Sequence, residues 1–384
     1  MKLFQRLLVA PAALGLLSPI SANANEVNLN DISNYSDVEN IELADSFNNN
    51  PSIESTLLAG GEGLVDTSYD GGFSTTTTAS FSVDMAIGAV DGNTTSEALT
   101  AVYGYQMDLS TSFTGEDTLA AALKAGSNQS ALAQLDLNST TNDALTVDGI
   151  SYTFPLGDKL TVLVGDSTSG SALYSTACVY GGFTNTLDDC GNFSTAFTAT
   201  GHAVAGTVGF SAAYDIGNGF TGAVGYNGQG SDAAGLGTIE GTDFVGGQLT
   251  YTADNYGVSI TYADLDVATG WGLNGYYTFA SNLPSVSVGY EFGEVEQVGA
   301  DDQETTQWFV GLQWDELGNG TLGVALGSDG PQNEGVDEDM AYEVFYTYNV
   351  NDSMTITPAL FIIEHNQAGA EDETGVVVKT SFSF

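Results

Sequence analysis

Basic residues are nearly missing from this chain. It has 5 Lys and Arg against 49 Asp and Glu in 384 residues, a formal net charge of −44. Nothing in it could neutralise a phosphate backbone, which excludes nucleic acid as a partner. Histidine is as scarce, with His202 and His365 alone. A hydrolase needs a nucleophile, a base and an orienting acid within hydrogen-bond reach. His202 opens a strand pattern, His365 stands where a strand meets a loop, and neither sits in a catalytic motif. Cysteine is limited to Cys178 and Cys190, too few thiols for a zinc site with no His nearby. Proline is held to 7 residues, and no apolar run approaches the roughly 18 residues that a membrane helix needs. Helix-spanning membrane proteins are thereby excluded.

What is present points elsewhere. Hydrophobic residues make up 42%, far from the composition of a disordered acidic chain. The 48 Gly, 18 Tyr and 19 Phe suit an all-β protein with many tight turns. The N-terminus, MKLFQRLLVAPAALGLLSPISANAN, has a basic start (Lys2, Arg6), an apolar stretch from Leu7 to Leu17, and the small-residue cleavage signal Ala22-Asn23-Ala24. It reads as a secretory signal peptide over residues 1–24, too short and too interrupted by Pro11 to be an anchor. The basic residues left after its removal are Lys124, Lys159 and Lys379. Residues 25–72 are acidic and Asn-rich with weak periodicity, and form a periplasmic segment with room for one short helix.

From Phe73 the pattern changes to period two. FSTTTTASFSVDMAIGAV sets Phe81, Val83, Met85 and Ile87 on one face and Asp84 on the other. ALTAVYGYQMDLSTSF does the same, with Asp108 on the polar face. In residues 115–143, DTLAAALK suggests one or two helical turns and the rest a polar loop. Alternation then resumes in thirteen further windows separated by turn cues such as DIGNGF and TADNYG. Fifteen windows of about ten residues suit strands that cross a bilayer at a tilt. Tyr251, Tyr256, Tyr262, Trp271, Trp308 and Trp314 near their ends suit aromatic girdles. The reading is an all-β transmembrane antiparallel β-barrel over residues 73–384. Bacterial single-chain barrels have even strand numbers, so sixteen strands are expected, with fourteen as the alternative. Glu291, Glu343 and Lys379 join Asp84 and Asp108 as candidate pore-lining residues. The final segment, GVVVKTSFSF, must pair with the first strand, because an open edge in lipid leaves backbone groups unsatisfied. Its Phe382 and Phe384 then face lipid.

Cys178 and Cys190, an even count in an exported chain, are expected to form a disulfide. Their loop, residues 167–194, either lies on the surface or folds inward to narrow a pore. The acid runs Asp301-Asp302 with Glu304, Asp337-Glu338-Asp339 and Glu371-Asp372-Glu373 fall in loops without calcium-loop spacing, and support weak cation binding at most. Pieces such as GAVGYNGQG lack the following helix of a dinucleotide motif. No cofactor or metal is expected.

The signal peptide, LLAGGEGL (57–64) and TACVYGGFTNTLDDCGNFS (176–194) resemble cyanobacterial outer-membrane porins. That branch is similar to the carbohydrate-selective porins and is sometimes labelled iron-uptake porins. The resemblance implies passive diffusion of small hydrophilic solutes, outer-membrane lipid as surroundings, and a homotrimer. It also implies that the terminal aromatics Phe382 and Phe384 signal to the outer-membrane assembly machinery. Many members carry an S-layer-homology domain and a coiled coil after the signal peptide. Residues 25–72 show neither a heptad pattern nor a basic patch, so peptidoglycan anchoring does not carry over. Two other classes compete: a hydrolytic outer-membrane barrel, and a structural or adhesive barrel with a plugged lumen. A plug calls for large, oppositely charged inward clusters, which three lysines do not supply. With acids on the inward faces, the expected channel prefers cations.

Overall fold

Where one strand face meets lipid and the other meets water, alternating sequence and extended backbone reinforce each other. The computed structural model describes residues 76–384 except 129, 136, 138–140, 176, 191–207, 229–234, 239–240, 242, 266–267, 281, 298–300 and 367–368. The signal peptide, the 25–72 segment and His202 lie outside the described residues. The strands are β1 (Thr77–Asp91), β2 (Thr100–Thr111), β3 (Thr118–Gly126), β4 (Thr146–Leu156), β5 (Leu160–Asp166) and β6 (Val208–Gly217). They continue with β7 (Phe220–Gly228), β8 (Asp243–Thr252), β9 (Tyr256–Leu265), β10 (Ala268–Tyr277), β11 (Ser285–Val295) and β12 (Gln303–Trp314). The last are β13 (Gly320–Ser328), β14 (Gln332–Asn333), β15 (Met340–Asn351), β16 (Met354–Ile363) and β17 (Glu373–Ser383). The two-residue β14 continues β13 along the same edge of β12. There are thus sixteen staves, all antiparallel. β17 pairs with β1 from Ser82–Ser383 to Asp91–Thr374, so the barrel is closed and no edge is left. Among the described residues, helix is limited to two short turns, Ser130–Leu132 and Asp188–Cys190.

The sixteenth stave is β3, in the stretch LAAALKAG that the sequence assigns to helical turns. Alanine and leucine favour helix, but the neighbours decide. Asp117 Oδ1 accepts hydrogen bonds from Phe113 N at 2.9 Å and from Thr114 N, Thr114 Oγ1 and Ser112 Oγ at 2.8, 2.8 and 2.9 Å. Its Oδ2 accepts from Tyr152 Oη at 2.6 Å. This turn reverses the chain after β2, and both sides of β3 then bond, to β2 and to β4. A helix there would leave two open edges in lipid.

Short connections such as 157–159, 253–255 and 352–353 lie at one end of the barrel; the strand ends Gly126, Asp166 and Ser328, which lead into long connections, lie at the other. The turn Gly217-Asn218-Gly219 has φ values of 95°, 55° and 85°, which explains its sequence. The outer wall is apolar: Val258 is 50% exposed, while its neighbours Gly257 and Ser259 are buried inward. Tyr251, Tyr256 and Trp314 sit near the short-turn end, and Tyr262, Trp271 and Trp308 nearer the long-loop end. Phe382 follows the outward register of β17, and Phe384, 72% exposed, stacks on Phe81 at 5.5 Å.

Candidate functional site

The barrel interior is shaped by a segment that returns into it. Inward positions of several staves are glycine, and the reason is steric. A Cβ on Gly225 would fall on the carbonyl of Gly170, one on Gly104 on the carbonyl of Leu137, and one on Gly311 would lie 2.7 Å from the Tyr180 ring. The missing side chains let the described residues of 167–190 run flat against the wall. Gly170 N donates to Asn227 Oδ1 at 3.1 Å, Leu173 N to Ser211 Oγ at 3.2 Å, and Val179 N to Ser287 Oγ at 3.1 Å. Gly181 N donates to Gln313 Oε1 at 2.9 Å. The segment thus touches β6, β7, β11 and β12 before it reaches β15. There Tyr180 Oη and Phe183 N donate to Glu343 Oε1 at 2.7 and 2.9 Å, and Thr184 N and Oγ1 donate to Oε2 at 2.9 and 2.6 Å. Of the two places open to this loop from sequence, the inward one is adopted. Cys178 and Cys190 are disulfide-bonded, with Cα atoms 6.1 Å apart, and the bridge closes a ring around all the Glu343 contacts.

A second segment joins it. Leu132, Leu135 and Leu137, in the stretch expected to be a polar loop, are buried with Tyr180, Phe183 and Leu187 against Phe309, Phe345 and Phe361 of the wall. Asn185 N donates to Gln134 O at 2.9 Å and links the two segments. Burying each Leu or Phe stabilises the arrangement by about 1.5–3 kcal/mol before ordering costs. The barrel interior therefore holds an apolar core of its own, and a second cluster forms where Tyr174 meets Ala223, Phe244, Ala263, Leu265 and Ala268.

The candidate residues divide accordingly. Glu291 and Glu343 face inward, as alternation requires, but they are 0% and 3% exposed. Their carboxylates are therefore covered within the barrel. Glu343 holds the inner segment. Asp84, Asp108 and Lys379 are inward and half-buried. Lys379 Nζ lies 5.4 Å from the centre of the Phe183 ring, a cation–π contact with the inner segment. Lys124, which the sequence reading passed over with β3, is also inward and pairs with Asp148 at 2.5 Å. His365 sits at the long-loop rim, where its backbone N donates to Asp372 at 3.0 Å.

The acid runs lie at that same rim, and they do more than face solvent. Glu338 Oε1 accepts from Trp308 Nε1 and Ser328 Oγ, both at 2.6 Å. Asp339 Oδ1 accepts from Asn366 N at 2.7 Å, and Glu373 Oε1 from Asn93 Nδ2 at 3.1 Å. Asp329, in the β13–β15 connection, accepts from Thr186 Oγ1 at 3.1 Å and so ties the inner segment to the rim. Burial pushes its carboxyl above the ordinary range, with Thr186 and His365 pulling the other way and Asp339 and Glu373 adding to the rise.

No protein-family model matches the sequence, and no curated relative does. Solved structures match the fold. The anion-selective porin from Comamonas acidovorans superposes with a TM-score of 0.56 at 13% identity, over 80% of this chain and 99% of that one. Pseudomonas putida OprB gives 0.62 at 13% identity, over 80% and 94%. A triple mutant of Rhodopseudomonas blastica porin gives 0.52 at 14% identity, over 80% and 100%. At such identities the likeness carries architecture alone: this chain has the closed antiparallel barrel fold of bacterial porins.

Proposed function

We propose that the protein is a water-filled outer-membrane channel for passive diffusion of small hydrophilic solutes and ions, preferring cations. The observation that carries this reading is the division of the interior. On β1, β2 and β17 the apolar inner core packs on Ala86, Val90, Val102 and Val377 toward the long-loop end, while Asp84, Asp108 and Lys379 of the same staves lie nearer the short turns and keep partial exposure, as do Lys124 and Asp148. Barrels of sixteen staves are wide enough for an aqueous channel. Sugars and inorganic ions, iron included, belong to the solute class. Fold neighbours that include a porin support the channel reading; the outer membrane as location and a homotrimer as assembly follow from the resemblance in the sequence. The rim acids and a low-dielectric wall focus negative potential at the long-loop mouth.

A second reading, a plugged structural barrel, draws on the apolar cluster between the two inner segments. Planar-bilayer recording separates the two. The channel reading expects discrete conductance steps and, in a KCl gradient, a reversal potential on the cation side. A silent bilayer favours the plug, and anion selectivity at low salt overturns the cation preference. Liposome swelling in neutral sugars then measures the size of the passing solutes.

A further inference from the structure

We infer that the outer wall carries a binding site for an anionic phospholipid; the inference rests on the membrane-embedded barrel proposed above. A groove of about 570 Å³ crosses the lipid-facing surface from β5 to β10. It is bounded by two cross-strand rows. Tyr214, Gly222, Leu249 and Ile260 are successive partners in one; Val224, Gly247, Tyr262 and Trp271 are successive partners in the other. The depth comes from Gly222 and Gly247, where large neighbours stand above bare backbone. These glycines differ from those of the inner wall. A Cβ on Gly222 meets nothing nearer than Ile216 Cδ1 at 3.5 Å, and one on Gly247 nothing nearer than the Ala223 carbonyl at 3.5 Å. No packing within the protein requires them to be small. Five interstrand spacings give the groove a length of about 24 Å, more than the roughly 15 Å of one leaflet's hydrocarbon. An acyl chain fits it when laid obliquely.

Charge selects the headgroup. Among the described residues Lys159, in the 157–159 turn between β4 and β5, is the one lysine beside this groove, and no arginine is present. It is exposed, and its Nζ lies 5.9 Å from the centre of the Tyr214 ring, at the short-turn end of the groove. A chain of net charge −44 repels an anionic headgroup almost everywhere else on its surface. The opposing groups are Asp215, which follows the inward register of β6 and accepts from Gly217 N at 2.8 Å, and the exposed Asp158. The short turns of such barrels face the periplasm, so the leaflet concerned is the inner one. A cation at the headgroup level, an aromatic ring beside it and an apolar trough below match a phospholipid with one negative charge.

The test is native mass spectrometry of the full chain released from bilayers of equal phosphatidylglycerol and phosphatidylcholine, counting retained lipid. Wild type is expected to retain phosphatidylglycerol with about fivefold preference, the worth of one lysine near an anionic surface. Lys159→Gln, a change at an exposed turn, should abolish the preference, and Asp158→Asn should increase it. Gly247→Leu fills the trough and should lower retention of both lipids. An undiminished preference in Lys159→Gln overturns the proposal. So does a Gly247→Leu variant that changes subunit number and leaves lipid retention intact, which would make the groove a contact between copies. Conductance of the same preparations keeps the two readings apart: a conducting wild type without lipid preference refutes this site and leaves the channel standing.

Discussion

Replacing Glu343 by Ala tests what holds the inner segment. The side chain accepts four hydrogen bonds from Tyr180, Phe183 and Thr184, all inside a buried site. Hydrogen bonds to a charged acceptor contribute about 1.5–3 kcal/mol each, but they share one geometry and do not add in full. Deleting one partner of a buried polar set costs roughly 3–5 kcal/mol, because the donors left behind are desolvated. A loss of about 4 kcal/mol shifts the docking equilibrium by close to a thousandfold. The contacts of Val179 with Ser287, of Gly181 with Gln313 and of Lys379 with Phe183 remain. The segment should therefore stay inside the barrel but move. Expected in single-channel recording are a larger mean conductance and greater open-channel noise in Glu343→Ala, with a smaller shift in Glu343→Gln, which keeps the volume and one acceptor. Wild-type conductance and noise in both variants would refute the anchoring argument. A Glu343→Gln channel that lost cation selectivity at unchanged conductance would show that the carboxylate faces permeating ions, and the burial argument would fail.

Three further outcomes are expected. Mass spectrometry without reductant should find Cys178 and Cys190 in one linked peptide, and the double Ser variant should loosen the inner segment by about 3 kcal/mol of loop-closure entropy; two free thiols in protein isolated under oxidising conditions would contradict this. Deleting Phe384 removes its ring stack on Phe81 and the backbone bonds Phe384 N to Phe81 O at 3.0 Å and Phe81 N to Phe384 O at 2.8 Å. Outer-membrane levels should fall while each assembled channel conducts normally, and full levels of the truncated protein would count against the closing role. Asp329→Asn should stabilise the long-loop rim at neutral pH. The folded-state pKa of Asp329 is raised, so its favourable contribution is complete below about 3.8 and is lost as pH rises through the folded value. The gain in denaturant midpoint should therefore shrink as pH falls toward 4, and a pH-independent difference would argue against burial as the cause.

The strands were legible because lipid on one face makes alternation strong. The windows 243–253, 304–315 and 374–384 each fall on an observed stave. β3 escaped because Leu119, Ala121 and Leu123 alternate with Ala120 and Ala122, a contrast too faint to separate period two from helical spacing. The place of the inner segment stayed open between surface and interior for a different reason. Its anchors join residues as distant as Tyr180 and Glu343, and no local pattern encodes such a contact. Two signals were nonetheless present: glycines at inward positions such as Gly225 and Gly311, and large apolar residues (Leu132, Leu135, Leu187) in stretches otherwise polar. Alternation could place Glu343 on the inner face, but it could not distinguish a carboxylate facing water from one covered by a returning chain.

That distinction moves the origin of any cation preference. With Glu291 and Glu343 covered, the inward charges that keep exposure are Asp84, Asp108, Asp148 and Asp215 against Lys124 and Lys379, and Lys124 is already paired with Asp148. The wall keeps only a small negative excess. The larger excess lies at the long-loop rim, where Asp301, Asp302, Asp337 and Glu371 are exposed. Rim charges act through solvent and are screened over about 8 Å at physiological salt and about 3 Å at 1 M. Wall charges between low-dielectric surfaces are screened much less. A rim origin therefore expects a reversal potential that is clear at 10 mM salt and nearly vanishes at 1 M. It should also weaken when Asp301 and Asp302 become Asn, and hold when Glu291 becomes Gln. Selectivity that survives at 1 M salt and falls with Asp84→Asn and Asp108→Asn would return its origin to the wall.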